Sequence, residues 1–128
     1  MLALTLIAVL AALALPGLGR ATGPAALRVV ALQISAVLRE DRNMSQSARR
    51  AVLTMVDTNA GRIVSGSSRF VVTMPMGAMV GIVDAEPPGI RFFADGRSSG
   101  GAILIATANA RYLVTVDRNT GAIHVGEP

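Results

Sequence analysis

Two acidic residues, Asp84 and Glu86, stand two positions apart, immediately before Pro87 and Pro88. A carboxylate pair of this kind could carry out acid–base catalysis or bind calcium. Calcium takes six or more oxygen ligands from several positions, however, and this segment has no further oxygen-rich spacing. The two prolines therefore favour a rigid, solvated connection over a functional site.

The histidine at position 124 is a second candidate for catalysis or metal binding. The chain has one histidine and no cysteine, so no other imidazole or thiolate completes a metal site with His124. No serine is surrounded by a nucleophile-elbow signature. The sequence thus predicts no catalytic residues, no cofactor-binding residues, no metal site and no enzyme activity.

A third candidate is the glycine-rich segment GRSSGG at positions 96–101, which would allow the close approach of a phosphate. A phosphate loop needs a following helix whose N-terminal N–H groups point at the anion. The residues that follow, AILIAT, are typical of a strand instead. The segment is therefore predicted to be a wide turn between two strands.

The composition describes a single domain with an aliphatic core. Of the 128 residues, 52% are hydrophobic and only 3% aromatic, which excludes a disordered chain. All twelve basic residues are arginine, against eight acidic residues. Because these arginines are spread along the chain, we expect no nucleic-acid partner. The lack of cysteine excludes disulfides without deciding the compartment.

The chain begins with an apolar segment, predicted to be helical over residues 1–15. It is too short to span a bilayer, which takes about 20 apolar residues. It has the apolar stretch of a signal peptide, but no basic residue precedes it.

A second, amphipathic helix is predicted over residues 25–50. Steps of 100° per residue place an apolar stripe on one side of this helix and polar residues on the other. Asp41 falls near the edge of the stripe, where a buried, hydrogen-bonded acid or a fraying pattern explains it better than catalysis. The predicted stripe comprises Leu27, Val30, Ala31, Ile34, Leu38, Ala48 and Val52, and the opposite side comprises Arg28, Ser35, Arg39, Arg42, Gln46 and Arg50.

From residue 51 onward the apolar period changes to two, which predicts strands. Two segments, DTNAG at 57–61 and DRNTG at 117–121, carry the Asp and Gly of hairpin turns. The predicted fold is α+β, with the helix packed on one face of an antiparallel sheet. The eight predicted strands cover residues 51–57, 62–64, 69–74, 78–84, 90–94, 102–107, 111–117 and 122–126.

Three stretches together resemble the H-type minor pseudopilins of type II secretion systems. They are the apolar helix ending in LAALALPGL with its amphipathic continuation, the segment FFADGRSSGGAILI, and the closing VTVDRNTGAIHVGE. The most specific residues are Phe92, Phe93, Asp95, Gly96, Ser98, Ser99, Gly100 and Gly101, followed by Thr120 and Gly121. The resemblance implies a pilin-like fold, in which these residues form a structural turn.

The resemblance also implies a location and a set of partners. Such a protein is anchored in the inner membrane by a single N-terminal helix, which here corresponds to residues 1–24. Its periplasmic domain would be residues 25–128, with a helix over 25–50 and a β-rich part over 51–128. The membrane and filament-core residues that the resemblance implies are Leu4, Leu6, Ile7, Val9, Leu10, Leu13, Leu15 and Pro16. It assembles with the major pseudopilin and the tip subunits near the end of a short filament, and its precursor is cut by prepilin peptidase. Arg39, Arg42 and Arg50 would meet acidic surfaces of adjacent subunits or form a solvated helix face.

One departure from that family concerns the beginning of the chain. Family members carry a basic leader, a glycine and phenylalanine at the cleavage point, and a glutamate inside the apolar segment. Matching Pro16 to the family proline places all of these upstream of Met1. We therefore expect the given sequence to be an N-terminally shortened version of a longer precursor. Either the true start codon lies upstream of Met1, or the N-terminus has been removed.

Two other functions remain open from the sequence. A minor pilin of a type IV pilus would share the architecture, although the C-terminal segment DRNTGAIHVGEP has only Arg118 to contact DNA phosphates. A small exported enzyme or binding protein with a cleaved signal peptide would instead leave the membrane.

Overall fold

The first element of the computed structural model, which describes residues 24–127, is a helix, α1, over Pro24–Ser47. Pro24 suits the first turn, where its missing N–H would have no partner in the helix. At the other end Arg49 takes a left-handed conformation with φ 53°, and the Arg50 N–H donates to the Ser45 carbonyl at 3.1 Å. This reversal ends α1 at Ser47, three residues before the predicted end.

All eight predicted strands are present, with ends that differ by up to two residues from the prediction. The strands alternate between buried and more exposed positions, as their period of two predicts. They are β1 Val52–Asp57, β2 Arg62–Val64, β3 Val71–Thr73, β4 Met79–Val83, β5 Gly89–Phe92, β6 Gly101–Ala106, β7 Arg111–Val116 and β8 Ile123–Gly126.

The strands form two four-stranded antiparallel sheets, whereas the sequence predicted one. Sheet A has the order β3-β2-β1-β5, and sheet B has the order β4-β6-β7-β8. The chain passes into sheet B at β4, returns to sheet A at β5 and crosses again before β6. The predicted α+β class is confirmed. The prediction of a single sheet was wrong, because β5 leaves its neighbours in the chain and pairs with β1, more than thirty residues earlier.

The core lies between α1 and both sheets. The inward side of α1 packs against β1 of sheet A and against β7 and β8 of sheet B. Aliphatic side chains and Phe92 make up this core, as the composition predicted. Its fully buried members are Leu27, Ala31, Ile34, Leu38, Ile63, Ile90, Phe92, Ile103, Ile105 and Val114.

Two residues of the predicted helix pattern differ from the burial expected of them. Ser35, predicted to face solvent, is buried, and its Oγ donates to the Leu32 carbonyl at 2.7 Å. This bond within the helix satisfies the hydroxyl without water. Ala48, predicted in the apolar stripe, is exposed because α1 has already ended.

Candidate functional site

The loop between β5 and β6, residues 93–100, lies against the turn between β7 and β8. Ser98 Oγ donates to the Asp117 carbonyl at 2.8 Å, and the Ser98 N–H donates to the Arg118 carbonyl at 3.0 Å. Ser98 also forms an isolated β-bridge with Phe92. The structure thus brings both parts of the predicted motif, residues 92–101 and 120–121, to one place.

The backbone N–H groups of this loop are used within the chain. The N–H of Gly96 donates to the Phe93 carbonyl at 3.0 Å, and that of Arg97 donates to Asp95 Oδ1 at 3.0 Å. The N–H of Ser99 and of Gly100 donate to the Arg91 carbonyl and to Ser98 Oγ. The segment leads from β5 directly to β6, which confirms the prediction of a turn between two strands.

The turn between β7 and β8 is closed by Asp117. Its Oδ1 accepts the N–H groups of Asn119 at 2.8 Å and of Thr120 at 2.9 Å. Both bonds lower the pKa of the Asp117 carboxyl, and the bond from the Thr120 N–H has the largest effect. Asp57 closes the turn between β1 and β2 in the same way, and the N–H of Ala60 lowers the pKa of its carboxyl. Both predicted hairpin turns are confirmed.

The C-terminal part of α1 is attached to the loop and the turn through polar contacts. Arg42 Nη2 donates to the Thr120 carbonyl at 2.9 Å. Ser45 Oγ contacts the Phe93 carbonyl at 3.2 Å. The prediction placed Arg42 on the solvated side of the helix, but its side chain is half-buried and holds the β7–β8 turn.

At this junction the backbone of the β7–β8 turn at Gly121 lies close to the backbone of the β5–β6 loop at Gly96. Gly121 has a φ of 70°, and a Cβ there would collide with the Gly96 carbonyl oxygen and lie 2.7 Å from Arg42 Nε. Only glycine fits both the conformation and the space. The predicted motif residues therefore build a junction between α1, the β5–β6 loop and the β7–β8 turn.

A second polar cluster surrounds Asp41, which is fully buried. The hydroxyls of Thr54 and Ser65 lie 2.6 Å from Oδ2 and Oδ1, and the Ser67 hydroxyl lies 2.5 Å from Oδ1. The N–H of Gly66 donates to Oδ2 at 3.0 Å, and that of Ser67 to Oδ1 at 3.2 Å. This confirms the interpretation of Asp41 as a buried, hydrogen-bonded acid. It attaches α1 to β1 and to residues 65–67.

Of the remaining candidates for chemistry, Asp84 and Glu86 line one open cavity with Ser98, Ser99 and Arg118, and His124 is not among its lining residues. His124 is exposed opposite Thr115 in sheet B, and Asp84 and Glu86 are exposed beyond the end of β4. Within residues 24–127 there is no group of three or more His, Asp or Glu side chains suited to hold a metal ion.

The side of α1 that faces away from the sheets carries apolar residues, which the sequence pattern had not singled out. Val29 is 54% exposed and Leu32 is 49% exposed. With Ala25 and Ala36 they follow a 4, 3, 4 spacing, so they form one line along the helix. We call these four residues the outward stripe. Their spacing was visible in the sequence, but the buried stripe was stronger.

The other predicted contact residues are only partly within the described chain. Arg39 and Arg50 are exposed. The predicted filament-core residues between Leu4 and Pro16 lie outside the described residues. In the part of the chain from 24 to 127, no helix is both long and apolar enough to cross a membrane.

No protein-family profile and no curated protein matches the chain. The minor pseudopilin EpsH from the Type 2 Secretion System of Vibrio cholerae is similar in structure, with a TM-score of 0.66 and 14% identity over 79% of this chain and 96% of that one. The type IV minor pilin FimU of Pseudomonas aeruginosa has a TM-score of 0.60 and 16% identity over 78% and 87% of the two chains. These likenesses show that the chain has the pilin-like fold.

Proposed function

We propose that the pilin-like fold serves here as a structural subunit of a type II secretion pseudopilus, of the H-type minor pseudopilin kind. The support is the fold, together with the motif residues at the junction of α1, the β5–β6 loop and the β7–β8 turn.

The observation that carries this proposal is the outward stripe on α1. A helix that covers a sheet in a monomer needs one apolar side, and its other side is normally polar. Here Val29 and Leu32 remain about half exposed on the side away from the sheets. A line of apolar side chains along an exposed helix side can pack against a second helix. In a filament subunit it would continue the packing of the N-terminal helix.

The proposed arrangement follows from the order of the elements. Residues 1–24 form the apolar segment that anchors the protein in the inner membrane and enters the filament core. The β domain then lies in the periplasm, where the subunit contacts the major pseudopilin and the tip subunits near the filament end. Its role is to support export of folded proteins across the outer membrane, after prepilin peptidase has processed the precursor.

The experiment is deletion of the gene in its own organism, followed by measurement of protein secretion and of pilus-dependent motility. We expect secretion to fail and motility to remain, with secretion restored by the full-length gene. A Leu10→Cys variant that carries a thiol-attached photocrosslinker is expected to crosslink to the major pseudopilin in membranes. Val71→Cys, on the outer face of sheet A, is the matched control without that crosslink. Normal secretion together with no Leu10 crosslink would refute the proposal.

The second candidate is a minor subunit of a type IV pilus, which the likeness to FimU supports. The outward stripe and the N-terminal apolar segment fit this second function as well as the first. The single arginine in the closing segment, Arg118, is held to the Ser99 carbonyl at 3.2 Å, which disfavours a DNA-binding patch there. Loss of motility with intact secretion, in the same deletion strain, would favour this second candidate.

A further inference from the structure

Three of the six methionines of the chain lie together in the segment that leads from β3 to β4. They are Met74, Met76 and Met79, within the sequence MPMGAM. Met76 is 90% exposed and Met79 is 75% exposed, while Met74 is half-buried. Single apolar side chains on a surface are ordinary, but three thioethers within six residues form a group of potential metal ligands. We call residues 74–79 the methionine segment.

Backbone hydrogen bonds hold the methionine segment in a turn. The Ala78 N–H donates to the Pro75 carbonyl at 3.0 Å, which closes a turn over residues 75–78 with Met76 at its tip. Gly77 has a φ of 85°, as the third position of a type II turn requires. The two ends of such a turn lie within about 7 Å of each other. Met74 and Met79 therefore flank the turn on its two sides, a short distance apart.

Met74 and Met79 line one open cavity of about 310 Å³, whose other wall is the β1–β2 turn, residues 58–61. The Met74 N–H donates to the Gly61 carbonyl at 2.8 Å, which attaches the methionine segment to that wall. A methionine side chain has three rotatable bonds, so its sulfur can change position without a change in the backbone. The exposed thioether of Met76, between the two lining residues in the chain, can therefore turn toward the cavity.

The ligand type decides which metal such a group would hold. Thioether sulfur is a soft, uncharged ligand, and soft ligands select Cu(I). Calcium and magnesium take oxygen ligands, and zinc is bound by thiolate, imidazole and carboxylate. The sequence predicted no metal site because imidazole and thiolate partners are lacking, but thioethers are a third ligand type which that prediction left out.

We infer that Met74, Met76 and Met79 bind one Cu(I) ion at the mouth of this cavity. The inference goes beyond the proposed filament function and does not depend on it. The methionine segment joins sheet A to sheet B, since β3 belongs to the first sheet and β4 to the second. A bound ion would hold both sides of this connection together. Because the unfolded chain does not keep the three sulfur atoms in place, Cu(I) should also raise the thermal midpoint of unfolding.

The dependence on pH distinguishes this site from one that uses imidazole. A thioether carries no proton that must be released, so Cu(I) binding should persist at about pH 5, where an ordinary imidazole is protonated. Asp57, at the end of β1 beside the cavity wall, stays ionised there because hydrogen bonding from the Ala60 N–H lowers the pKa of its carboxyl. His124 lies on β8, at the opposite edge of sheet B from β4.

The experiment is an anaerobic titration of the purified full-length chain, in detergent micelles, with Cu(I). It is followed by NMR of methionine methyl groups labelled with ¹³C. We expect the methyl signals of Met74, Met76 and Met79 to shift together and to saturate at one Cu(I) per chain. The methyl signals of Met44, on α1, and of Met55, which is 43% exposed on sheet A, are internal controls and should not shift.

The double variant Met76→Leu/Met79→Leu removes two of the three sulfur atoms. Leucine is close to methionine in volume, so the fold should be kept. Residues behind the ligands of a metal site already contribute about 10–100-fold to its affinity, so the loss of direct ligands should weaken Cu(I) binding at least as much. Affinity is measured by competition with a chromophoric Cu(I) chelator. Met44→Leu is the matched control and should bind as the natural chain does.

Four results would overturn the inference. They are no shift of the three methyl signals, equal shifts that include Met44 and Met55, undiminished affinity in the double variant, and loss of binding at about pH 5. The second would show unspecific binding to exposed sulfur, and the last would assign the ion to imidazole. Secretion and the Leu10 crosslink report on the proposed function separately, so each proposal can fail without the other.

Discussion

Replacing Asp41 by alanine is expected to destabilise the domain more than any other single loss of a charge. The substitution removes the acceptor for three hydroxyls and two backbone N–H groups in a site with no solvent exposure. A hydrogen bond to a charged group contributes about 1.5–3 kcal/mol. Five such bonds would exceed the whole stability of many domains, which is about 5–15 kcal/mol.

The net effect is smaller because some donors find other partners. The hydroxyls of Ser65 and Ser67 already lie 3.3 Å apart, and the Ser67 N–H also reaches Ser65 Oγ at 3.2 Å. Residues 66–67 are partly exposed, so water can enter when the carboxylate is gone. Thr54 and the Gly66 N–H lose the most. We therefore expect Asp41→Ala to lower the free energy of unfolding by about 3–5 kcal/mol.

Urea unfolding of the purified chain, followed by circular dichroism, measures this change. Glu40→Gln is the matched control, since it removes the neighbouring acid from the exposed side of α1 and should cost less than about 0.5 kcal/mol. Asp41→Asn keeps the volume but places an NH₂ group against one of the two N–H donors, so it should also destabilise. In a Thr54→Val background the Asp41→Ala cost should fall. Equal effects of Asp41→Ala and Glu40→Gln would refute the reasoning.

Three further predictions concern the turn, the junction and the core. Folding lowers the pKa of the Asp117 carboxyl from its ordinary value of 3.8. The ionised carboxyl therefore contributes to stability above pH 3.8, and this contribution is lost as the pH falls below that value. Asp117→Asn should abolish this pH-dependent loss, as measured by urea unfolding at a series of pH values. Gly121→Ala should cost about 2–4 kcal/mol from its left-handed backbone and its collision, whereas Gly126→Ala, in open space, should be neutral by the same measurement. Phe92→Ala should cost about 3–5 kcal/mol because that ring is fully buried, and the same effect from Phe93→Ala, whose ring is 39% exposed, would contradict this placement.

The turns and strands could be predicted from the sequence because their causes are local. The Asp117 side chain bonds N–H groups two and three residues ahead, and Gly121 supplies the positive φ at the end of the same turn. The alternation of residues in β1 or β7 likewise depends only on neighbours two positions apart. Such signals lie within one short window of the chain, and all eight strands follow from them.

The division into two sheets could not be predicted in the same way. Leu53 of β1 pairs with Arg91 of β5, and Val83 of β4 pairs with Ala102 of β6. Apolar alternation shows that a strand has a buried face without showing which strand lies beside it. The Asp41 cluster could be predicted only in part for the same reason. The helix pattern indicated that Asp41 is buried, but its partner Ser65 lies 24 residues away in the chain and could not be identified from that pattern.

The two polar clusters give α1 a fixed position between the surfaces that a filament subunit would use. Asp41 attaches the helix to sheet A through Thr54, and Arg42, one residue later, attaches it to the β7–β8 turn of sheet B through Thr120. A helix held only by aliphatic packing can slide or rotate by small steps, whereas directional hydrogen bonds on both sides oppose such motion. The outward stripe of α1 therefore keeps a constant orientation relative to both sheets. A subunit that contacts its neighbours through both its helix and its sheets needs this property, since the angle between the two contacts sets how the neighbours are oriented.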